Sequence, residues 1–144
     1  FLALADRKKE VFDDDLFVIV RDEIGERQDT YELIYFNFQS GNMAVPTATV
    51  RIKTGGETLE EAATGDGPVD AMFNAIDRAI GVKTKLLEYN VRAITPGREA
   101  MGEVSVTVQI DDRRFIGRGA STDIVEASAR AYLNAINRSK APTR

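Results

Sequence analysis

The sequence predicts an α+β fold: two βββα units related by a pseudo-twofold, with antiparallel strands and an N-terminal helical linker segment. Apolar and polar residues alternate through Thr47–Thr54 and again through Val104–Ile110, the mark of half-buried strands. Each run ends at a turn dipeptide, Gly55-Gly56 or Asp111-Asp112, where a two-residue hairpin belongs. A helical stretch then closes each block, Pro68–Ile80 and Ile124–Asn137. Sliding the chain by 56 residues, without a gap, lays Tyr31–Gly81 over Leu87–Asn137. Gly41 then meets Gly97, Ala44 meets Ala100, Val50 meets Val106, and Val69, Ala71 and Ala75 meet Val125, Ala127 and Ala131. Two copies of so long a unit point to one pseudo-symmetric domain rather than a repeat array.

Residues 1–30 read as a connecting segment, and residues 31–144 as the folded domain, with repeat units 31–81 and 87–138. Phe1–Val11 is charged and weakly helical, Asp13-Asp14-Asp15 can cap a short helix through Leu16–Val20, and Gly25–Thr30 is a polar linker. The segment opens mid-pattern, as if cut from something longer. Tyr31–Gln39 is the first strand, rich in aromatic and β-branched residues. Ser40-Gly41-Asn42 turns the chain into Thr47–Thr54, and Glu57–Ala63 returns as the third strand. In the first helix Val69, Met72, Phe73, Ile76 and Ile80 fall on one face, with Gly81 placed as the C-cap. In the second, Ala127, Ser128, Ala129 and Ala131 form a small-residue surface suited to a close helix neighbour, a partner subunit or the sheet itself.

The composition narrows the chemistry. The 144 residues carry a net charge of −4, which argues against a nucleic-acid or anionic-membrane surface. No apolar run approaches the roughly 20 residues needed to span a bilayer. Phe1–Ala5 is followed at once by Asp6-Arg7-Lys8-Lys9-Glu10, which is not a signal-peptide pattern. Neither cysteine nor histidine occurs, so disulfides, thiolate or imidazole metal sites and a Ser-His-Asp triad have no residues to build them. The cysteine-free chain fits a cytoplasmic protein.

Binding chemistry concentrates at the two strand-to-helix turns. In Gly65-Asp66-Gly67-Pro68-Val69, Pro68 suits the first helical position, and the glycines leave backbone N–H groups bare for an anion. In Ala120-Ser121-Thr122-Asp123, any of the last three can be the N-cap. If the pseudo-twofold brings these helix starts together, they form a polar nest for a small anion or zwitterion, with Asp66, Asp123 or free carbonyls accepting from an ammonium. Tyr89, Val91 and Ala93 share one face of the strand Leu86–Ala93 and supply either an apolar wall or ordinary core. Asp66, Asp70, Asp123 and Glu126 can be read as an acid/base or hard-metal cluster, but first-turn acids also answer simply to the helix dipole.

Three stretches carry a family resemblance: Gly65-Asp66-Gly67-Pro68-Val69-Asp70-Ala71, Gly97-Arg98-Glu99-Ala100-Met101-Gly102-Glu103-Val104, and Gly117-Arg118-Gly119-Ala120-Ser121-Thr122-Asp123-Ile124-Val125-Glu126-Ala127-Ser128. With Leu87-Glu88-Tyr89, they resemble the C-terminal regulatory domain of 2-isopropylmalate synthase over about Tyr31–Arg138, and residues 1–24 resemble the segment ahead of it. Glu99 departs from the aspartate common there. The resemblance implies a homodimer that binds L-leucine near its interface and inhibits a separate catalytic barrel of the same polypeptide. By the same resemblance, that barrel condenses acetyl-CoA with 2-oxoisovalerate at a divalent metal, and this chain is expected to need no cofactor and to hold no catalytic residue. Carried over by motif, the leucine contacts are Gly65, Asp66, Gly67, Pro68 and Val69, then Leu86, Tyr89, Ala93 and Ala100 as the wall, and Ala120, Ser121 and Thr122 on the second turn. Citramalate synthase shares the domain and answers to isoleucine; a purely structural dimerisation domain is the remaining alternative.

Overall fold

A computed structural model describes residues 30–93 and 101–140. The elements run β1 (Glu32–Gly41), β2 (Ala44–Thr54), β3 (Glu57–Thr64), α1 (Pro68–Ile80), β4 (Lys85–Ala93), β5 (Gly102–Ile110), β6 (Arg113–Ser121) and α2 (Ile124–Lys140). The strands form two three-stranded antiparallel sheets, β1-β2-β3 and β4-β5-β6, each followed by its helix as expected. The helix expected through Leu16–Val20 lies outside the described residues.

Local chemistry sets the element ends. Gly55 takes φ +61°, and Asp111 and Asp112 take +52° and +68°, so both hairpins turn through left-handed backbone. Pro68 opens α1, and Gly81, at φ 77°, closes it by donating its N–H to the Asp77 carbonyl at 2.7 Å. Alternation along β2 and β5 buries Ala48, Val50 and Ile52, then Val104, Val106, Val108 and Ile110, beneath Met72, Ile76, Leu133 and Ile136 in one core. Each fully buried aliphatic side chain contributes roughly 1.5–3 kcal/mol.

The alanine stripe of α2 is explained by the sheet. A Cβ added to Gly119 would lie 2.5 Å from the Ala127 carbonyl oxygen and 2.8 Å from the Ala131 nitrogen, and one on Gly117 would strike the backbone of Ala131 and Ala135. The helix backbone therefore rests directly on a glycine groove in β6. Along the strand's free edge, Asn134 Nδ2 donates to the Arg118 carbonyl at 2.7 Å and Arg138 Nη1 to that of Ile116 at 3.0 Å. Toward the other helix, Tyr132 stacks on Phe73 of α1 with ring centroids 4.1 Å apart and planes 9° from parallel.

The repeat is not gap-free. Val50 pairs with Phe36 while Val106 pairs with Tyr89, so the first strands correspond at a shift of 53 residues, although the shift of 56 holds from β2 onward. The structural counterpart of Tyr89 is therefore Phe36, and the second unit's first strand begins at Lys85, ahead of Leu87. Both first strands carry the same irregularity, skipping Ile34 in β1 and Leu87 in β4. The connection between the first two strands is longer in the second unit and absorbs the difference.

Candidate functional site

The turn before α1 divides its glycines by role. A Cβ on Gly65 would lie 2.5 Å from the Ala71 nitrogen and 2.7 Å from Asp70 Oδ2, so that glycine is needed for close packing of the turn on its own helix. Gly67 has no described residue within 4 Å of the same position, and its extended backbone (φ −159°, ψ −179°) suits any residue. Asp70 Oδ2 accepts from the Asp66 N–H at 2.9 Å, and the Gly67 carbonyl accepts from Ala71 N–H at 2.9 Å. Among the described residues no side chain caps the helix start, so the N–H groups of Val69 and Asp70 are left for an outside acceptor. The carboxylate of Asp66 is exposed and has no hydrogen bond or ion pair among the described residues.

The start of α2 is closed by its own side chains. Asp123 is the N-cap: its Oδ1 accepts from Val125 N–H at 2.9 Å, and its carbonyl from Ala127 N–H at 2.9 Å. Ser121 Oγ accepts from Asp123 N–H at 3.0 Å and donates to Glu126 Oε1 at 2.9 Å. The Ser121 hydroxyl, helped by Arg130, holds the Glu126 carboxyl below its ordinary range. Among the described residues, no hydrogen bond or ion pair joins the 65–69 turn to Ala120, Ser121 or Thr122.

The wall residues gather on one face because β4 skips Leu87. Residues paired directly across an antiparallel ladder share a face. Leu86, Tyr89, Val91 and Ala93 pair with Val108, Val106, Val104 and Gly102, so all four lie on the side that α2 and α1 cover elsewhere. Simple alternation would have sent Leu86 to the opposite side. Ala100 lies outside the described residues.

That face is unequally covered in the two units. On β1, Leu33 is 8% exposed and shares a cleft with Leu133 of α2, and Phe36 and Phe38 are half-buried against the core. Their counterparts on β4 remain open: Leu86 is 43% exposed, Tyr89 36% and Val91 47%. Helix α2 packs on β6 and β5 and leaves β4 beyond it. Tyr89 is the residue that reaches back. Its hydroxyl lies 2.7 Å from the fully buried Ser128 Oγ of α2, and its ring meets Phe73 of α1 edge-on, centroids 6.3 Å apart.

Beside this contact is a polar cluster that the sequence reading missed. Thr84 Oγ1 donates to Asp77 Oδ1 at 2.7 Å, and the Tyr132 hydroxyl lies 2.8 Å from the same oxygen and 2.7 Å from Thr84 Oγ1. Burial raises the Asp77 carboxyl above its ordinary value despite both hydrogen bonds, and burial beside that carboxylate also pushes the Tyr132 phenol up. The available signal was the polar pair Ser128 and Tyr132, four residues apart in an otherwise alanine-lined stripe.

With this geometry in place, the comparisons with known proteins are specific. Residues 10–140 match the family described as the LeuA allosteric (dimerisation) domain. The chain belongs to that family. The 2-isopropylmalate synthases of Sediminispirochaeta smaragdinae, Carboxydothermus hydrogenoformans and Aquifex aeolicus are 49%, 50% and 43% identical to it over 138, 139 and 140 residues. Each alignment covers 96% of this chain and 27% or so of the relative, so the chain spans about a quarter of their length. Among the described residues of this LeuA-type domain, no helix is long and apolar enough to cross a membrane. No three acidic side chains among them gather as a metal site, and Asp70 and Glu126 instead serve their helix starts.

Proposed function

We propose that this chain is the leucine-sensing, dimer-forming domain of a cytoplasmic 2-isopropylmalate synthase, binding L-leucine as feedback inhibitor of a catalytic barrel elsewhere in the polypeptide. The divalent metal and the condensation of acetyl-CoA with 2-oxoisovalerate belong to that barrel. The observation that carries the reading is the open apolar face of β4, Leu86, Tyr89 and Val91, uncovered where the equivalent face of β1 packs against the core. The relatives' name supplies the parent enzyme, and the family's description supplies the allosteric and dimerising role.

In this reading the leucine carboxylate takes the uncapped start of α1, where N–H groups and helix dipole favour an anion. The exposed Asp66 carboxylate accepts from the ammonium, and Gly67 leaves room for approach. Gly65, Pro68 and Val69 shape that turn; Leu86, Tyr89, Ala93 and Ala100 receive the isobutyl group; Ala120, Ser121 and Thr122 border it from the second turn. A second copy of the chain covers the rest of the apolar surface. Calorimetry with leucine, isoleucine and valine tests the reading, with one saturable site preferring leucine as the expected result. An isoleucine preference would reassign the domain to a citramalate synthase. Dimers that sediment identically with and without leucine, and no heat with any of the three at millimolar concentration, would leave only a structural role.

A further inference from the structure

We propose that Ser128 is a positioning residue for effector selection: its buried hydroxyl locks the Tyr89 ring in place and so sets the shape of the open apolar face of β4. The inference rests on the functional reading above and adds a residue to it. Ser128 is fully buried within a stripe of alanines, where a hydroxyl needs partners. It has two: its Oγ donates to the Ile124 carbonyl at 2.7 Å and lies 2.7 Å from the Tyr89 hydroxyl. With its proton given to Ile124, Ser128 accepts from Tyr89. The carbonyl bond alone would satisfy a serine facing its own helix; the second bond spans 39 residues and is, among the described residues, the one hydrogen bond tying the open β4 face to α2.

Tyr89 is otherwise weakly held. It is 36% exposed, its strand neighbours Leu86 and Val91 are more so, and its one ring contact among the described residues is the edge-on meeting with Phe73. In β1 the corresponding side chain is Phe36, and the helix position corresponding to Ser128 is Met72. An apolar pair in one unit is thus a hydrogen-bonded pair in the other, the unit whose face stays open. A ring free to change rotamer makes a face of variable shape, which receives straight and branched side chains alike. A ring pinned at its tip fixes one shape, and steric choice between leucine and isoleucine then becomes possible.

The test is calorimetry of the whole chain and its Ser128→Ala, Tyr89→Phe and doubly substituted variants with leucine and isoleucine. Alanine suits a helix interior, and phenylalanine removes only the phenol oxygen, so each variant should fold. Each single change should weaken leucine binding roughly five-fold, the factor one hydrogen bond commands, and narrow the leucine-to-isoleucine ratio by a similar factor. The double variant should match either single one, because both remove the same bond. Unchanged affinity and ratio in Ser128→Ala, or effects that simply add, would overturn the assignment while leucine binding by the unaltered chain still supports the functional reading. An unaltered chain that binds neither amino acid refutes both.

Discussion

Replacing Gly119 with alanine should loosen the domain at its tightest seam. The new Cβ would lie 2.5 Å from the Ala127 oxygen, 2.8 Å from the Ala131 nitrogen and 3.1 Å from Arg130 Cβ, whereas ordinary contact begins near 3.4 Å. The first two neighbours are helix backbone, so no rotamer change relieves them. Helix α2 must move off β6 by most of an ångström. That shift disturbs the buried Ala127, Ala131 and Ala135 and strains the Asn134 and Arg138 bonds to the strand edge. Overpacking of this kind costs about 1–3 kcal/mol, and the absence of a flexible neighbour places the expectation near 3. For a domain of this size the midpoint of thermal unfolding should fall by roughly 10–15 °C, followed by circular dichroism. Gly56→Ala is the control: nothing lies within 4 Å of its Cβ, its φ is not left-handed, and its midpoint should stay within about 2 °C. If Gly119→Ala melts with the control, the claim that α2 rests on a glycine groove is refuted.

Three further outcomes are expected. Asp123→Ala removes the cap on Val125 and should cost about 1 kcal/mol, read as a lower urea midpoint with unchanged slope. Gly67→Ala adds a methyl group in open space, so melting should be unaltered while leucine affinity drops several-fold; unchanged affinity would remove that turn from the site. For Asp77 the raised folded pKa means that the native state holds its proton more tightly than the unfolded chain, whose ordinary value is 3.8. Its contribution to stability therefore declines as pH climbs from that value through the folded pKa, then levels off. Asp77→Asn keeps an acceptor for Thr84 and Tyr132 without the charge, so its stability relative to the unaltered chain should improve from pH 4 to pH 7, as denaturant titrations at each pH would show.

Much of the architecture was legible because it rests on short-range rules. The alternation in β2 and β5, the proline opening α1 and the glycine closing it each specify local backbone directly; the bounds of α1 emerged as read, while β2 and β5 start earlier than the alternation, at Ala44 and Gly102. The shared irregularities at Ile34 and Leu87 were not legible, since skipping a residue in a ladder requires no particular side chain. They decide which face Leu86 occupies, and with the longer second connection they broke the gap-free repeat. The turn before α1 was recognisable as glycine-rich, but only the packing of Asp70 and Ala71 separates Gly65, which is structural, from Gly67, which is open. The Asp77, Thr84 and Tyr132 cluster joins residues from two helices and the loop between α1 and β4, and local pattern does not report pairings at that distance.

The order of the chain gives the Asn134 and Arg138 bonds a consequence during synthesis. They occupy the outward carbonyls of β6 at Arg118 and Ile116, yet both donors emerge from the ribosome after the strand they shield. Until they arrive, the nascent polypeptide displays a ladder with vacant acceptors, open to pairing with any extended neighbour. The final two turns of α2 thus act as a late-arriving guard of that strand edge.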